Sequence, residues 1–229
     1  MTIKNYLFST KDLKRAGELR DKYNWEQNYP HVDLWRKSDA LLKWTSVLER
    51  FIELYPNNGV TVVDLGCARG SVPHVISGMG NTVTGVDSTK IDARLDHACV
   101  GSKVTIIDSN VWDWFPDVED ESIDVFTDLC SITHFCGRSG VCSDGKSVLN
   151  NVFRECYRCL KPGGHFIMSS DCMIDSDEGE YQDPQSIIKR AAEEGLKFVG
   201  EWYNTEDRLY TVPGFAHLNV CCLTFVKLS

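Results

Sequence analysis

No apolar run in the 229-residue chain approaches the ~20 residues that a membrane-spanning helix requires. The opening stretch MTIKNYLFSTKDLKRAG has neither the apolar core nor the small-residue cleavage site of a secretory signal. These absences lead to the expectation of a cytoplasmic protein with no membrane partner. Internal repeats and low-complexity tracts are also missing, so solenoid and disordered classes drop out. Positive charge is scarce: 24 Lys and Arg stand against 33 Asp and Glu, a formal charge of -9. That balance gives no long-range attraction to phosphate backbones and disfavours nucleic acid as a partner. A metal code is missing too. Cys156 and Cys159 are spaced CxxC, but no second pair follows at zinc-finger distance, and Cys221 and Cys222 are adjacent. No metal is expected. The ten cysteines read as reduced, partly buried thiols, with a redox CxxC as the alternative.

What is present is a soluble globular balance of 42% hydrophobic and 25% charged residues. Residues 11–27 suggest a short charged helix and a loop closed by Pro30. From Val32 to Tyr55, Leu34, Leu41, Leu42, Val47, Leu48, Phe51 and Leu54 recur near the helical period, with Lys and Glu between them. Pro56-Asn57-Asn58-Gly59 ends that helix. Seven β-like runs follow: GVTVVDLG, NTVTGVDS, SKVTIIDS, SIDVFTDL, GGHFIMSSD, LKFVGEWYN and LNVCCLTFVKLS. Helical patterns at Val72–Ser77, Lys90–Cys99, Ser147–Leu160 and Pro184–Glu194 fit between many of them. The alternation predicts a Rossmann-like α/β fold with a mainly parallel sheet covered on both faces. No helix separates the last two runs, which predicts an antiparallel hairpin pair at one edge of the sheet. The division expected is 1–56, an N-terminal helical cap, and 57–229, the core.

VVDLGCARG carries the strongest signal. Gly66 and Gly70 let backbone approach a ligand closely at a strand-to-helix turn, and the helix that follows points free N–H groups at it. The spacing is not GxGxxG, because Ser71 stands where the last glycine belongs, and no Walker A lysine follows. Asp87 ends the second run, where a carboxylate can accept from a ribose diol. Asp108 ends the third, and its neighbour Ser109 offers a backbone N–H to a purine edge. A strand-end Asp also caps helices, but three successive runs carry one at or near their ends.

These motifs resemble those of class I S-adenosylmethionine-dependent methyltransferases. VVDLGCARG is similar to the family's first motif, with Asp64 as its acidic member, Gly66 and Gly70 as its glycines, and Ala68 in place of the frequent middle glycine. TGVD with Asp87 resembles the ribose-binding motif, and IIDS with Asp108 the adenine-side motif. LKPGGHFIMS resembles the late motif, in which Pro162-Gly163-Gly164 turns into strand five. The resemblance covers residues 60–228. It implies a seven-stranded sheet with a reversed final strand, and S-adenosylmethionine as cofactor, with S-adenosylhomocysteine as product. The cofactor contacts it implies fall on Asp64, Gly66, Ala68, Gly70, Asp87, Ser88, Asp108, Ser109 and Leu129.

Methyl transfer is an in-line displacement, so the protein's task is alignment, and a hydroxyl acceptor also needs a base. The stretch TDLCSITHFCG after the fourth run holds the candidates Asp128, Ser131 and His134. A neutral imidazole suits a base near pH 7, which favours His134. Asp171, at the end of the fifth run, is placed to orient an acceptor hydroxyl or bind an amine. His217 and the thiols of Cys130 and Cys136 are weaker candidates. Tyr23, Trp25, Tyr29 and Trp35, with Arg36 and Lys37, read as a cap over the cofactor. No Asn/Asp-Pro-Pro-Tyr/Phe motif follows the fourth run, which argues against amino-methylation of adenine or glutamine. The reading is therefore a methyltransferase acting on a hydroxyl, or other nucleophile, of a small polar metabolite. The alternatives are a protein or RNA methyltransferase and a non-catalytic S-adenosylmethionine-binding domain. A nicotinamide-dependent oxidoreductase fits the glycine spacing poorly. The oligomeric state stays open.

Overall fold

The computed structural model describes residues 4–7, 10–24, 38–67, 71–88, 104–132, 135, 145–173, 183–203 and 218–229. Among them nine strands form one sheet. The strands are β1 (Lys4–Leu7), β2 (Thr61–Leu65), β3 (Thr82–Asp87), β4 (Val104–Asp108), β5 (Ile123–Leu129), β6 (Leu160–Met173), β7 (Leu196–Phe198), β8 (Glu201–Tyr203) and β9 (Leu218–Lys227). The helices are α1 (Thr10–Lys22), α2 (Ser38–Leu54), α3 (Ser71–Gly78), α4 (Val111–Trp114), α5 (Gly145–Cys159) and α6 (Pro184–Glu193). The pattern Lys90–Cys99 lies outside the described residues.

The sheet order is β4-β3-β2-β5-β6-β9-β1-β8, with β7 also on β9. β2 to β6 pair in parallel, and β9 runs antiparallel to both β6 and β7. The seven expected runs and their reversed final strand are therefore present. Two strands exceed the expectation. KNYL makes β1, too short and mixed to announce itself as a strand. LKFVGEWYN breaks at Gly200, which sits at φ +93°. Its first half stays on β9, while its second leaves to pair with β1.

Successive side chains point to opposite faces of the sheet. Val62, Val125, Ile167 and Val220 pack with α1, α2 and α3. Val63, Phe126, Phe166 and Leu223 pack with α4, α5 and α6. On that second face Phe115, Phe126, Phe166 and Phe225 follow one another at centroid separations of 6.2 to 6.4 Å, within the range of favourable ring contacts. Local chemistry sets the ends of α6: Asp183 accepts from the N–H groups of Gln185 and Ser186, and Pro184 opens the first turn.

α2 departs from a simple amphipathic helix. Lys43, Thr45, Ser46 and Arg50 are buried along with Leu42 and Val47. The reason is layering, since α2 lies on β6 and β9 while α1 packs over it. The polar groups find partners there. Thr45 and Ser46 donate to helix carbonyls, Arg50 pairs with Glu53, and Lys43 reaches a carboxylate of the sheet.

Candidate functional site

The chain runs from β2 outward to β3 and β4 on one side, then resumes with β5 and β6 on the other. Parallel sheets bind ligands at such a reversal, in the crevice beyond the carboxyl ends of the strands. Gly66 stands there, directly after β2. Its φ is +66°, and its N–H donates to the Val86 carbonyl at 2.8 Å. Its own carbonyl accepts from Ser131 Oγ at 2.8 Å. A Cβ at this position would lie 2.2 Å from Ser131 Cβ and 3.3 Å from the Phe135 ring. The room that the motif reading reserved for a ligand is thus filled at Cβ by the turn after β5. Ala68 and Gly70 lie outside the described residues.

Asp87 and Asp108 are paired neighbours at the ends of β3 and β4. Asp87 is buried and Asp108 exposed, with Ser88 exposed beside Asp87. The Ser109 N–H is already committed, donating to the Asp87 carbonyl at 3.0 Å. Its hydroxyl donates to the Asn110 carbonyl, and Asn110 caps α4. Leu129 is half-buried at the end of β5.

Asp64 and Asp128 turn inward. Asp64 is 2% exposed and accepts a short hydrogen bond from Thr127 on the adjacent strand. Burial raises its pKa to about 7, with the nearby Asp87 charge adding to the rise. Asp128 is fully buried. Its Oδ1 accepts from the N–H groups of Ser131 and Ile132, both at 3.1 Å, while Oδ2 has no hydrogen-bond partner among the described residues. Burial, then the Asp64 charge, pushes its pKa well above the usual carboxylate range. In this state Asp128 organises the turn after β5.

Asp171 already holds an amine, that of Lys43. Lys43 Nζ lies 2.8 Å from Asp171 Oδ1, and Cys130 Sγ donates to Oδ2 at 3.0 Å. Burial is the main reason the Cys130 thiol is pushed up to about 12, so it is no nucleophile at neutral pH. Cys156 and Cys159 are buried and unbridged, and burial raises both thiols, as expected of inert cysteines. His134, His217, Cys136, Trp25, Tyr29, Trp35, Arg36 and Lys37 fall outside the described residues. Tyr23 is half-buried, with the Lys22 ammonium 4.9 Å from its ring centroid, and packs with α1 and α2.

Sequence reasoning missed Lys43 and Phe135. The signal for Lys43 was its place in LLKW, an apolar stretch that leaves a lysine no obvious exit to water. Phe135 meets Trp112 edge-on at 6.5 Å, joining the turn after β5 to α4. A groove of about 450 Å³ is lined by Trp112, Pro116, Arg154 and Arg158. Arg158 is engaged there by the Phe115 and Val118 carbonyls, Glu155 and Asp120.

Comparison with known proteins agrees with this geometry. Residues 63–168 match the family model described as a methyltransferase domain. The chain is 32% identical over 162 residues to the ubiquinone biosynthesis O-methyltransferase of Vibrio parahaemolyticus. That alignment covers 69% of this chain and 61% of the relative. The Burkholderia thailandensis 1,6-didemethyltoxoflavin-N1-methyltransferase, solved with its substrate and S-adenosylhomocysteine, superposes with a TM-score of 0.62 at 15% identity. The match spans 94% of this chain and 90% of that one. The cyclase SpnF superposes with a TM-score of 0.60 at 16% identity, over 83% and 81% of the two chains. A shared fold therefore does not decide the chemistry; the sequence matches and the strand-end residues are more specific. Residues 63–168 are similar to a methyltransferase domain, and the chain spans about three fifths of the length of the O-methyltransferase it matches.

Proposed function

We propose that the protein transfers the methyl group of S-adenosylmethionine to a hydroxyl of a small polar metabolite. The observation that carries this reading is the left-handed Gly66 at the sheet's reversal point, with Asp87 ending the neighbouring strand. The donor set fits the cofactor. Asp87 offers a carboxylate of the kind that holds a ribose diol, and the buried carboxylates near Gly66 favour a cation over an anion. A bound cofactor would supply a methyl already activated on a sulfonium.

The chain's own residues would bind, orient and exclude water. Asp87 and the Gly66 turn hold the cofactor. Asp64 and Asp128 fix β5 and its exit turn from below. Within 1–56, β1 joins the sheet beside β9 and α2 lies on β6 and β9, where Lys43 fastens it to Asp171. His134 is the group we assign to take, or hydrogen-bond, the acceptor's proton, since imidazole is neutral and basic near pH 7. A small acceptor is supported by the acidic balance of the chain and by the O-methyltransferase relative.

The test is a methyl-transfer assay across a panel of polar metabolites, read as S-adenosylhomocysteine formed. His134→Ala should lower turnover on the best acceptor by about 10²–10⁴-fold while leaving cofactor affinity nearly intact. Equal turnover in both proteins removes His134 as the base. Transfer only to a protein or RNA acceptor replaces the small-molecule reading.

A further inference from the structure

A series of contacts runs from the N-terminal helix α2 to Gly66. Lys43 on α2 pairs with Asp171 on β6, and their side chains are only 10% and 13% exposed. Asp171 in turn accepts from Cys130 Sγ at 3.0 Å, and its N–H donates back to that sulfur at 3.4 Å. Cys130 sits at φ +64°, a backbone region that side-chain-bearing residues adopt only when their surroundings hold them there. The Cys130 N–H also donates to the Ser169 carbonyl at 2.7 Å. The next residue, Ser131, donates to the Gly66 carbonyl and fills the space where a Gly66 side chain would be.

We infer that Lys43, Asp171 and Cys130 are positioning residues. Together they clamp the turn after β5 against Gly66, so that the cofactor side and the acceptor side of the crevice keep one geometry. Lys43 and Asp171 both lie outside the 63–168 stretch that matches the family model. The inference rests on the reading of S-adenosylmethionine as the ligand.

A buried ion pair is costly to break from one side, because the remaining charge is stranded, whereas replacing both partners with apolar groups is often tolerated. The informative variant is therefore the double replacement of Lys43→Met with Asp171→Leu. It should keep a thermal midpoint near that of the wild type, while its affinity for S-adenosylhomocysteine, titrated by calorimetry, falls about tenfold. Cys130 gives a second, milder test. Cys130→Ala removes the donor to Asp171 and should weaken binding about threefold. Cys130→Ser restores a donor and should return affinity to within about twofold of wild type. Should the double variant fail to fold, the Cys130 pair decides. Wild-type affinity in Cys130→Ala, or an equal loss in Cys130→Ser, overturns the clamp. A wild-type protein that binds neither S-adenosylmethionine nor S-adenosylhomocysteine overturns the underlying reading, and the clamp with it. That result needs no variant, so the two failures are distinct.

Discussion

The two ends of the sheet treat their polar groups in opposite ways. At the end where the parallel strands begin, Asp124 accepts from the Thr61 N–H and from Lys161. Tyr55 meets His165 Nδ1 at 2.7 Å and donates to the Asp124 carbonyl. Both carboxylate oxygens of Asp124 have partners, and the group ties the C-terminal end of α2 to β2, β5 and β6. At the end where those strands finish, Asp64 and Asp128 are both buried, the Asp64 charge adds to the rise of Asp128, and Asp128 Oδ2 has no hydrogen-bond partner among the described residues. Gly66 and Cys130 hold left-handed backbone beside them. Stability alone does not ask for buried, under-satisfied charge next to strained backbone, and such features cluster at functional sites. The contrast assigns fastening to one end and ligand chemistry to the other.

The hardest way to break that contrast is Gly66→Val. A branched side chain would collide with Ser131 and force a conformation that Val rarely adopts. Cofactor binding should fall more than about 100-fold, while circular dichroism still reports a folded core. Unchanged affinity would place the ligand elsewhere. Asp87→Ala comes next. Losing charge-assisted hydrogen bonds should cost about 1.5–3 kcal/mol, or roughly tenfold or more in affinity by calorimetry.

Smaller effects should separate the two ends by pH. Burial raises the folded-state pKa of Asp64 to about 7, above its unfolded value. The stability this group contributes is full below the unfolded pKa and is lost as pH rises through about 7. Ligand-free protein should thus lose about 1 kcal/mol between pH 6 and 8 at this site, and Asp64→Asn should remove that slope in denaturant titrations. The other end runs the opposite way. Burial lowers His165 to about 4, so its contribution is present above the unfolded pKa and is lost as pH falls through about 4. His165→Asn should flatten the acid limb between pH 6.5 and 4 and leave the alkaline slope alone. If either variant altered the other end's slope instead, the division between the ends would fail.

The sequence made the strand-end arrangement legible because burial on both faces forces Val-rich runs such as TVVDL, and the first three runs each carry an Asp at or near the end. The antiparallel pairing of β7 with β9 followed from the missing helix between the last two runs, but the expected edge position did not hold for β9, because β1 and β8 extend the sheet beyond it. The rest depended on contacts distant in sequence. LLKW says that Lys43 needs a partner, but not that the partner is Asp171. The glycine at 66 says that something comes close, but not that Ser131 comes first. The Asp87 carbonyl that takes the Ser109 N–H belongs to a different strand, which the sequence does not show. KNYL became a strand only because β9 offers it an edge.

The most direct test of the account is a calorimetric titration of the intact chain with S-adenosylhomocysteine, S-adenosylmethionine and NAD, repeated on Asp87→Ala. Both sulfur nucleotides should bind the wild-type protein, bind Asp87→Ala at least about tenfold more weakly, and leave NAD without a signal. Tight NAD binding with no response to either sulfur nucleotide would contradict it.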